Sequence, residues 1–449
     1  MTRRTYSNNS RSTNTSKRHQ KTSVPVAKLP ILQQRIIQIA DVLDKVLKFR
    51  FPADSVLSAW FKENRQLGGR DRGDVAEAVF DVMRHLRRYR HYAESGVGPA
   101  NQRLAILGLV NTVGKEPVIA VLEAAQQDWL NRVLQINVSS IPPMVRFSQP
   151  DWLYAELNKQ DQAESLLTAL NTKAPLDLRV NPLKVGRDDV LTKLKADEML
   201  SKFTISPTPF SPYGIRFDGK PAINRWEAFE KGELEVQDEG SQLLCMLVSP
   251  RRSDMVIDFC AGAGGKTLLI GAMMRSQGRL YAFDVSGARL AKAKPRIARS
   301  GLSNVTCIQI DNENDVRVKR LMGKANRVLV DAPCSGTGTL RRNPDLKWRQ
   351  TPEDLVELTQ LQAKILTSAA RCITSGGRLI YSTCSLLPQE NEQQVQAFLA
   401  THPDFSLVSI EQVLGDRMPS GLTSVDGMLK LRPDVHGTDG FFAAVLEKK

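Results

Sequence analysis

The sequence predicts an α/β protein in which a doubly wound, mostly parallel sheet follows an all-helical domain. From about residue 232, short apolar strands alternate with helical stretches, as expected when helices cover both faces of a parallel sheet. Before about residue 165, apolar residues instead recur every three or four positions, which is the period of a helix with one buried face. A mixed segment over residues 166–231 separates the two regions and is predicted to form a small α/β linking module.

Residues 1–29 are predicted to form a disordered basic tail. The segment carries seven lysines and arginines and no acidic residue, and the chain as a whole has a net charge of +14. Such an excess indicates a polyanionic partner, with nucleic acid first and an acidic membrane surface second. A solvated tail that only aids solubility is the alternative. Because the chain has neither a long apolar run nor an apolar leader at its N-terminus, we expect a cytoplasmic protein without a membrane partner.

The predicted helical domain covers residues 30–165. Its first helix has an apolar stripe that consists of Leu32, Ile36, Ile39, Leu43 and Val46. A second helix is predicted from Val75 to Tyr89, and a third amphipathic run lies between residues 104 and 122. The second helix also carries four arginines, namely Arg84, Arg87, Arg88 and Arg90. These arginines could contact phosphates or form an ordinary solvated face, and the sequence supports both interpretations.

The domain predicted at residues 232–449 contains the strands of the main sheet. Six strands are predicted, at Met255–Phe259, Arg279–Val285, Val305–Ile310, Arg327–Val330, Arg378–Ser382 and Phe441–Leu446. Sheets of this kind bind their ligands at the carboxyl ends of the strands. The residues that directly follow each strand are therefore the first candidates for a functional site.

A glycine-rich loop follows the first of these strands, and residues 258–267 read Asp-Phe-Cys-Ala-Gly-Ala-Gly-Gly-Lys-Thr. Three glycines in four positions let the backbone approach a ligand closely at the start of a helix. The next three strands end at Asp284, Asp311 and Asp331, so that four acids, with Asp258, would line one crevice. This arrangement suits a cofactor that carries a nucleoside. A P-loop NTPase is disfavoured because Cys260 stands where that motif requires its first glycine.

Two cysteines follow the fourth and fifth strands. Cys334 lies in the sequence Asp-Ala-Pro-Cys-Ser-Gly, and Cys384 lies in Ser-Thr-Cys-Ser. A single cysteine at a strand end is more often a small core residue than a nucleophile. These two, however, sit in polar turns on neighbouring strands, which would bring both thiols over the predicted cofactor crevice. No pair of the six cysteines has the spacing of a metal site, and we expect neither a metal nor a disulfide framework.

Paired thiols beside such a cofactor suit methylation of cytosine at carbon 5. Carbon 5 becomes nucleophilic only after a thiolate has added to carbon 6, and it can then take a methyl group from a sulfonium. An acid must face the N3 edge of the base, and Asp331 is placed for that role. Since a free thiol is mostly protonated at neutral pH, a cation such as Lys266 would favour the thiolate. The second cysteine could assist release of the product.

These motifs resemble those of the RNA cytosine-5 methyltransferases of the RsmB/NOP2/Sun type. The resemblance covers roughly residues 170–449 and rests on the glycine loop, Asp-Ala-Pro-Cys-Ser-Gly, Arg-Arg-Asn-Pro-Asp, Ser-Thr-Cys-Ser and the segment 436–442. It implies a class I methyltransferase fold that binds S-adenosyl-L-methionine, with Cys384 as the nucleophile, Cys334 as the release cysteine and Lys266 in contact with the target base. The implied cofactor ligands are Cys260, Ala261, Gly262, Ala263, Gly264, Gly265, Lys266, Asp284, Asp311 and Asp331.

The N-terminal region is similar to the NusB-like RNA-binding domain of the RsmB branch. This similarity rests on the segment Gly69-Arg-Asp-Arg-Gly73 and the arginine-rich helix after it. It implies that the substrate is small-subunit ribosomal RNA, and we expect the protein to act as a monomer. One departure is that Gly262-Ala263 replaces the Ala-Pro pair common in this family.

Three alternative functions remain open at this stage. The enzyme could act on transfer RNA, or the chain could be a non-catalytic RNA-binding factor in ribosome assembly that keeps the fold. A DNA cytosine methyltransferase shares the chemistry, but its nucleophile follows the fourth strand, where this chain has Cys334. The Ser-Thr-Cys-Ser motif after the fifth strand and the helical N-terminal domain both favour RNA.

Overall fold

A computed structural model describes residues 29–449 of the chain. The basic tail predicted at residues 1–29 thus lies outside the described residues, apart from its last position. The described chain contains a helical domain, a small antiparallel sheet and a large mixed sheet, in that order. Within this range, no helix is long and apolar enough to cross a membrane.

The helical domain packs around one apolar core, which extends from α1 to the residues just before α8. Four of the five predicted stripe residues of the first helix are buried in it, and the fifth, Leu32, packs against its edge. The helices are α1 Ile31–Val46, α2 Ala53–Glu63, α3 Gly69–Arg84, α4 Leu86–Ala93, α5 Ala100–Val113, α6 Lys115–Ile119, α7 Ala124–Leu134 and α8 Pro143–Arg146.

The helix predicted from Val75 to Tyr89 is interrupted at His85, which separates α3 from α4. The backbone amide of Arg87 in the first turn of α4 then donates to the Ser148 hydroxyl, at 2.8 Å. The apolar period continues through the break, which explains why the sequence pattern alone predicts one continuous helix.

Two further helices, α9 Asp151–Leu157 and α10 Ala163–Ala169, pack against the C-terminal domain. Leu153 and Leu166 on these helices share a buried cluster with Leu340 and Leu386 from the later domain. The boundary predicted at residue 165 therefore falls inside a helix. Apolar periodicity indicates that a helix has a buried face, but it does not indicate which domain covers that face.

A small antiparallel sheet follows, with the strand order β2-β3-β1-β4. Leu178, Ile215 and Phe217 form the centre of its core. Its last strand lies beyond residue 231, where the linking module was predicted to end. The elements are β1 Leu176–Val180, α11 Arg187–Ala196, β2 Ile205–Pro207, β3 Gly214–Phe217, α12 Glu227–Glu230 and β4 Leu234–Val236.

The C-terminal domain contains a large sheet with helices on both faces. Its elements are α13 Glu239–Val248, β5 Met255–Asp258, α14 Gly265–Met273, β6 Arg279–Asp284, α15 Gly287–Ser300, β7 Val305–Gln309, α16 Val316–Lys319, β8 Ala325–Asp331, α17 Leu346–Arg349, α18 Pro352–Ala370, β9 Ile373–Thr383, α19 Glu392–Thr401, β10 Phe405–Val408, α20 Ile410–Leu414, β11 Leu429–Leu431, α21 Pro433–His436 and β12 Phe441–Lys448.

The strand order is β10-β12-β9-β8-β5-β6-β7, with β11 paired to β12. The five strands from β9 to β7 are parallel, and β12 joins them antiparallel to β9. All six predicted strands are present, and the predicted doubly wound, mostly parallel sheet is confirmed. The chain switches direction across the sheet between β5 and β8, and a crevice for a ligand is expected at the carboxyl ends of strands at such a point.

Candidate active site

A cavity of about 870 Å³ opens at the carboxyl ends of β5, β6, β8 and β9. Its wall includes every site residue predicted from the sequence except Gly264. Gly264 lies behind the wall, where it begins α14 with a φ of 81° and where an added Cβ would lie 3.0 Å from the Cβ of Ala293. The fold thus brings together residues that are up to 124 positions apart in the chain, from Cys260 to Cys384.

The glycine loop is held against the second strand of the sheet. The Gly262 amide donates to Asp284 Oδ2 at 2.8 Å, and the Ala261 amide donates to the Phe283 carbonyl at 2.8 Å. Gly262 has a φ of 57°, in the left-handed region that glycine adopts without a steric penalty. The Gly262-Ala263 variant of the loop is therefore compatible with the backbone conformation found here.

Two arginines outside the predicted motifs hold the carbonyls of this loop. Arg179 of β1 donates to the Gly265 carbonyl at 2.9 Å, and Arg296 of α15 donates to the Ala263 carbonyl at 2.7 Å. Arg179 is almost fully buried, and burial lowers its pKa to about 10. The sequence analysis missed both residues, since neither belongs to a motif and Arg179 comes from the small sheet.

The acids at the strand ends differ in their surroundings. Asp258 is fully buried and accepts a hydrogen bond from the Thr267 hydroxyl at 2.6 Å through Oδ2, whereas its Oδ1 has no partner among the described residues. Burial raises the pKa of Asp258 to about 7. Asp284 is buried beside the loop, while the side chain of Asp311 is 81% exposed at the rim. An unpartnered buried oxygen next to ordered acids fits a polar ligand such as a nucleoside-bearing cofactor.

Lys266 and Asp331 form an ion pair in the cavity wall. The Lys266 ammonium donates to Asp331 Oδ2 at 2.7 Å. Burial disfavours the charge on Lys266, but the neighbouring Asp331 carboxylate outweighs burial and raises the pKa of the ammonium above its usual range. Lys266 and Asp331 line the same cavity as Cys334 and Cys384. The cavity wall therefore contains a permanent cation together with both cysteines.

The sulfur atoms of Cys334 and Cys384 are 3.4 Å apart. Both cysteines are half-buried and contribute to the cavity wall. The pKa of Cys334 lies well above its ordinary value, first because its thiol is hydrogen-bonded to Cys384 and then because of burial, with a further contribution from the negative Glu390. Cys334 is therefore protonated at neutral pH.

Glu390 connects the turns that carry the two cysteines, and the sequence analysis missed it as well. Its carboxylate accepts a hydrogen bond from the Ser335 amide at 2.8 Å and from the hydroxyls of Ser335 and Ser385. Gln362 of α18 donates to it at 3.0 Å. The only signal in the sequence is an acid that follows the Cys384 turn, and such a signal does not distinguish a buried carboxylate from an exposed one.

The arginine-rich helix of the N-terminal domain lies largely in a domain junction. Arg84 donates to the Arg341 carbonyl at 3.1 Å, and Arg87 pairs with Asp151 at 2.6 Å. From the other side, Trp348 of α17 donates its indole N–H to the Met83 carbonyl at 2.8 Å. The sequence leaves two interpretations of these arginines, a contact with phosphates or a solvated face. Arg84 and Arg87 fit neither of them, because both bond residues across the domain junction. Arg90, in contrast, is exposed.

A second cavity in the N-terminal domain, of about 630 Å³, lies between α2 and α3. The rings of Phe61 and Phe80 line it together with three cationic side chains, those of Lys62, Arg65 and Arg72. The Arg72 guanidinium lies 5.6 Å from the centroid of the Phe61 ring. Arg65 and Arg72 each donate one hydrogen bond to a backbone carbonyl, in both cases from Nε. Within residues 29–449, none of the three cations forms an ion pair with an acid. We call this surface the α2–α3 groove.

Comparison with known protein families gives two matches along the chain. Residues 245–447 match the family described as 16S rRNA methyltransferase RsmB/F. Residues 149–224 match the ferredoxin-like domain described for RsmF/B-like methyltransferases, which overlaps the small antiparallel sheet. The first match contains the glycine loop and both cysteines of the cavity.

Individual proteins show the same similarity. The chain is 39% identical over 310 residues to a probable ribosomal RNA small subunit methyltransferase B of Synechocystis, an alignment that spans 68% of this chain and 67% of the relative. It is 34% identical over 352 residues to ribosomal RNA small subunit methyltransferase B of Yersinia pseudotuberculosis, covering 78% and 75% of the two chains. The crystal structure of PH0851 superimposes with a TM-score of 0.74 at 25% identity, covering 94% of this chain and all of the other.

Proposed function

Because this chain belongs to the RsmB/F methyltransferase family, we propose that it methylates carbon 5 of a cytosine in small-subunit ribosomal RNA through a covalent adduct of Cys384. The observation that carries the proposal is the pair of sulfur atoms 3.4 Å apart in the wall of the large cavity. S-adenosylmethionine is the cofactor of this family and of this chain.

The cofactor would be held by the glycine loop and the acids around it. We assign the ribose hydroxyls to Asp284, which already orders the Gly262 amide, and a polar group of the cofactor to the free Oδ1 of Asp258. Cys260, Ala261, Ala263, Gly265 and Asp311 complete the proposed contacts. When bound, S-adenosylmethionine supplies an electrophilic methyl group on a sulfonium sulfur.

We assign the nucleophile to Cys384 by the family resemblance and by the state of its neighbour. The pKa of the Cys334 thiol lies well above its ordinary value, so that Cys334 is protonated when Cys384 attacks. The Cys384 sulfur would form a bond to carbon 6, and the π electrons between carbons 5 and 6 would form the bond from carbon 5 to the methyl group. The bond from that methyl group to the cofactor sulfur would break at the same time, and its electron pair would stay on the sulfur as a neutral thioether. In this proposal the Lys266–Asp331 pair would face the N3 edge of the base, where charge develops as the sulfur adds.

Release of the product requires a proton to leave carbon 5. Once Cys384 is bound to carbon 6, it no longer raises the pKa of Cys334, so that Cys334 can lose its proton to water and, as a thiolate, take up the proton from carbon 5. The electrons of the broken C–H bond restore the double bond between carbons 5 and 6, and the bond between sulfur and carbon 6 breaks. The 3.4 Å separation of the two sulfurs places Cys334 beside the adduct that Cys384 forms. The electron pair of the broken bond stays on the Cys384 sulfur, which leaves as a thiolate for the next cycle, and Cys334 holds the proton from carbon 5.

We propose that the RNA binds the α2–α3 groove outside the reaction centre. Aromatic rings stack on bases in single strands, and unpaired cations neutralise phosphates. The groove combines two phenylalanines with three cations that have no acidic partner in the described part of the chain.

We also propose that the enzyme acts as a cytoplasmic monomer. No group of side chains suited to hold a metal ion is found among the described residues.

Nucleoside mass spectrometry after incubation with S-adenosylmethionine tests the proposal. Wild type, Cys384→Ala and Cys334→Ala are compared on small-subunit ribosomal RNA and on bulk transfer RNA. We expect 5-methylcytidine with wild type on ribosomal RNA, none with Cys384→Ala, and protein covalently bound to RNA with Cys334→Ala. Activity in Cys384→Ala combined with its loss in Cys334→Ala would exchange the two roles. Methylation of transfer RNA alone would contradict the proposed substrate.

A further inference from the structure

Glu390 is a fully buried acid that no cation neutralises within the described chain. It ends a short turn that follows β9, directly behind the two cysteines. A buried carboxylate is costly unless several donors bond to it, because it has lost its hydration. Four donors meet this requirement, and they come from three separate segments of the chain.

Two of these segments are the turns that carry the cysteines. Ser335, next to Cys334, donates its amide to Oε1 at 2.8 Å and its hydroxyl to Oε2 at 2.5 Å. Ser385, next to Cys384, donates its hydroxyl to the same Oε2. The Gly338 amide adds a bond to the Cys384 carbonyl at 2.9 Å. One carboxylate oxygen is therefore shared between the neighbours of both thiols.

The position of Glu390 is itself fixed from outside these turns. The Tyr381 hydroxyl of β9 donates to the Glu390 carbonyl at 2.6 Å, and Gln362 of α18 bonds both the Glu390 carboxylate and the Pro333 carbonyl. Asn391 donates to the Ser385 carbonyl at 2.9 Å. The Glu390 carboxylate is therefore held in place, and both cysteine turns are hydrogen-bonded to it.

We propose that Glu390 is a positioning residue that fixes the separation of the Cys334 and Cys384 sulfurs. This inference rests on the proposed function, in which Cys384 forms the adduct and Cys334 resolves it. Adduct formation needs only the first sulfur, whereas release needs both sulfurs within reach of each other. Loss of the carboxylate should therefore impair release more than adduct formation.

The first test compares Glu390→Gln with Glu392→Gln, a matched control whose side chain is half-exposed and paired with Lys430 at 3.0 Å. We expect Glu390→Gln to accumulate covalent protein–RNA adduct and to lose about 10²-fold in turnover, the size of effect that a misplaced reacting group produces. Its affinity for S-adenosylmethionine should be unchanged, because Glu390 is not among the residues that line the cavity. The control should behave as wild type in both assays. Unchanged turnover in Glu390→Gln would overturn the proposal.

A second test measures whether the two thiols are close enough to react with one reagent, and it requires no methylation. Phenylarsine oxide condenses with two neighbouring thiols to give a cyclic dithioarsenite and one water, and intact-protein mass spectrometry detects the product. We expect capture in wild type and in Glu392→Gln, a clear reduction in Glu390→Gln, and none at this site in Cys334→Ala. Equal capture in Glu390→Gln and wild type would contradict the role of Glu390. Normal capture by a wild-type protein that never methylates cytosine would instead contradict the proposed function alone.

Two milder variants cover the case in which Glu390→Gln does not fold. Ser335→Ala and Ser385→Ala each remove one hydroxyl donor and leave the carboxylate in place. Each should reduce phenylarsine oxide capture and raise the fraction of trapped adduct, and Glu390→Asp should recover part of the activity by keeping the charge. If both serine variants match wild type in capture and release, the carboxylate does not set the spacing.

Discussion

Two cysteines that look equivalent in the sequence differ in their immediate neighbours. The pKa of the Cys334 thiol is raised by its hydrogen bond to Cys384, by burial and by the Glu390 carboxylate. A nearby anion disfavours a second negative charge. The structure therefore gives a physical reason why Cys334 is protonated, whereas the role of Cys384 as the nucleophile rests on the resemblance.

The candidate residues that the sequence identifies are those that end strands or belong to the glycine loop. The acids Asp284 and Asp331 and both cysteines could be named because parallel strands bring their carboxyl ends to one edge. Glu390, Arg179 and Arg296 could not, because each makes a decisive contact far away in the chain. Glu390 bonds Ser335, 55 positions away, while Arg179 and Arg296 bond loop carbonyls that are 86 and 33 positions away. Such contacts depend on tertiary packing, which leaves no local pattern in the chain.

The buried Asp258 should make the ligand-free protein less stable as the pH rises. Its pKa is about 7 in the folded chain against an ordinary value of 3.8, so the folded state binds more protons between these values. The stabilisation is fully present below pH 4 and is lost as the pH rises through 7. The melting temperature of wild type minus that of Asp258→Asn should therefore fall between pH 4 and pH 7 and then level off. A difference that is constant with pH would show that Asp258 is ionised throughout.

At the scale of elements, the loop between β5 and α14 contains two glycines with positive φ but different surroundings. An added Cβ at Gly262 would meet nothing within 4 Å, whereas at Gly264 it would lie 3.0 Å from Ala293 of α15. At position 262, glycine is therefore needed only for the left-handed backbone conformation. At position 264, glycine is needed for that conformation and also because α15 packs closely against it.

The two glycines should consequently respond differently to alanine. Gly262→Ala should cost about 1 kcal/mol, the usual penalty of a left-handed residue with a side chain. Gly264→Ala should cost more, because Ala293 must also move, and it should weaken S-adenosylmethionine binding by displacing the start of α14. Thermal unfolding and isothermal titration calorimetry would measure both effects. Equal losses of stability in the two variants would argue against the close packing of α15.

The α2–α3 groove leads to a prediction about salt. If Arg65 and Arg72 bind phosphates, replacing either by alanine should weaken RNA binding and reduce the slope of log K against log salt by about 0.7 per contact. Turnover at saturating RNA should stay near that of wild type, since the groove is separate from the large cavity. Arg320→Ala, an exposed arginine just after α16, serves as the control. An unaltered salt slope in both groove variants would exclude the groove from RNA binding.

At the scale of the whole molecule, the N-terminal domain is attached to the segment that follows the Cys334 turn. Besides Arg84 and Trp348, the ammonium of Lys347 is buried in this junction and donates to the Arg84 carbonyl at 2.8 Å. Burial lowers the pKa of Lys347 well below its ordinary value, with the neighbouring arginines adding to the effect. The all-helical domain was predicted from periodicity, but its attachment was not, because apolar periodicity says nothing about which surfaces meet. Its similarity to NusB-like domains stays a prediction.

Weakening this junction should separate the two domains. Trp348→Ala removes a partly buried indole that packs against the helical core and bonds Met83, at an expected cost of about 3 kcal/mol. We expect limited proteolysis to cleave between the domains faster than in wild type, and the affinity for RNA to fall while the affinity for S-adenosylmethionine is retained. Identical cleavage rates in the variant and in wild type would show that other contacts hold the domains together.

The hydrogen bond from Arg179 to the Gly265 carbonyl makes the cofactor loop of the C-terminal domain depend on the small sheet. An engineer who cut the chain at residue 232 would keep every recognisable motif and discard the side chain that anchors the cofactor loop. The strand β4 would also lose its hydrogen-bonded neighbour β1. The smallest fragment expected to work on its own therefore begins before β1. A chimaera that joins a foreign RNA-binding domain to this enzyme should be fused upstream of the small sheet.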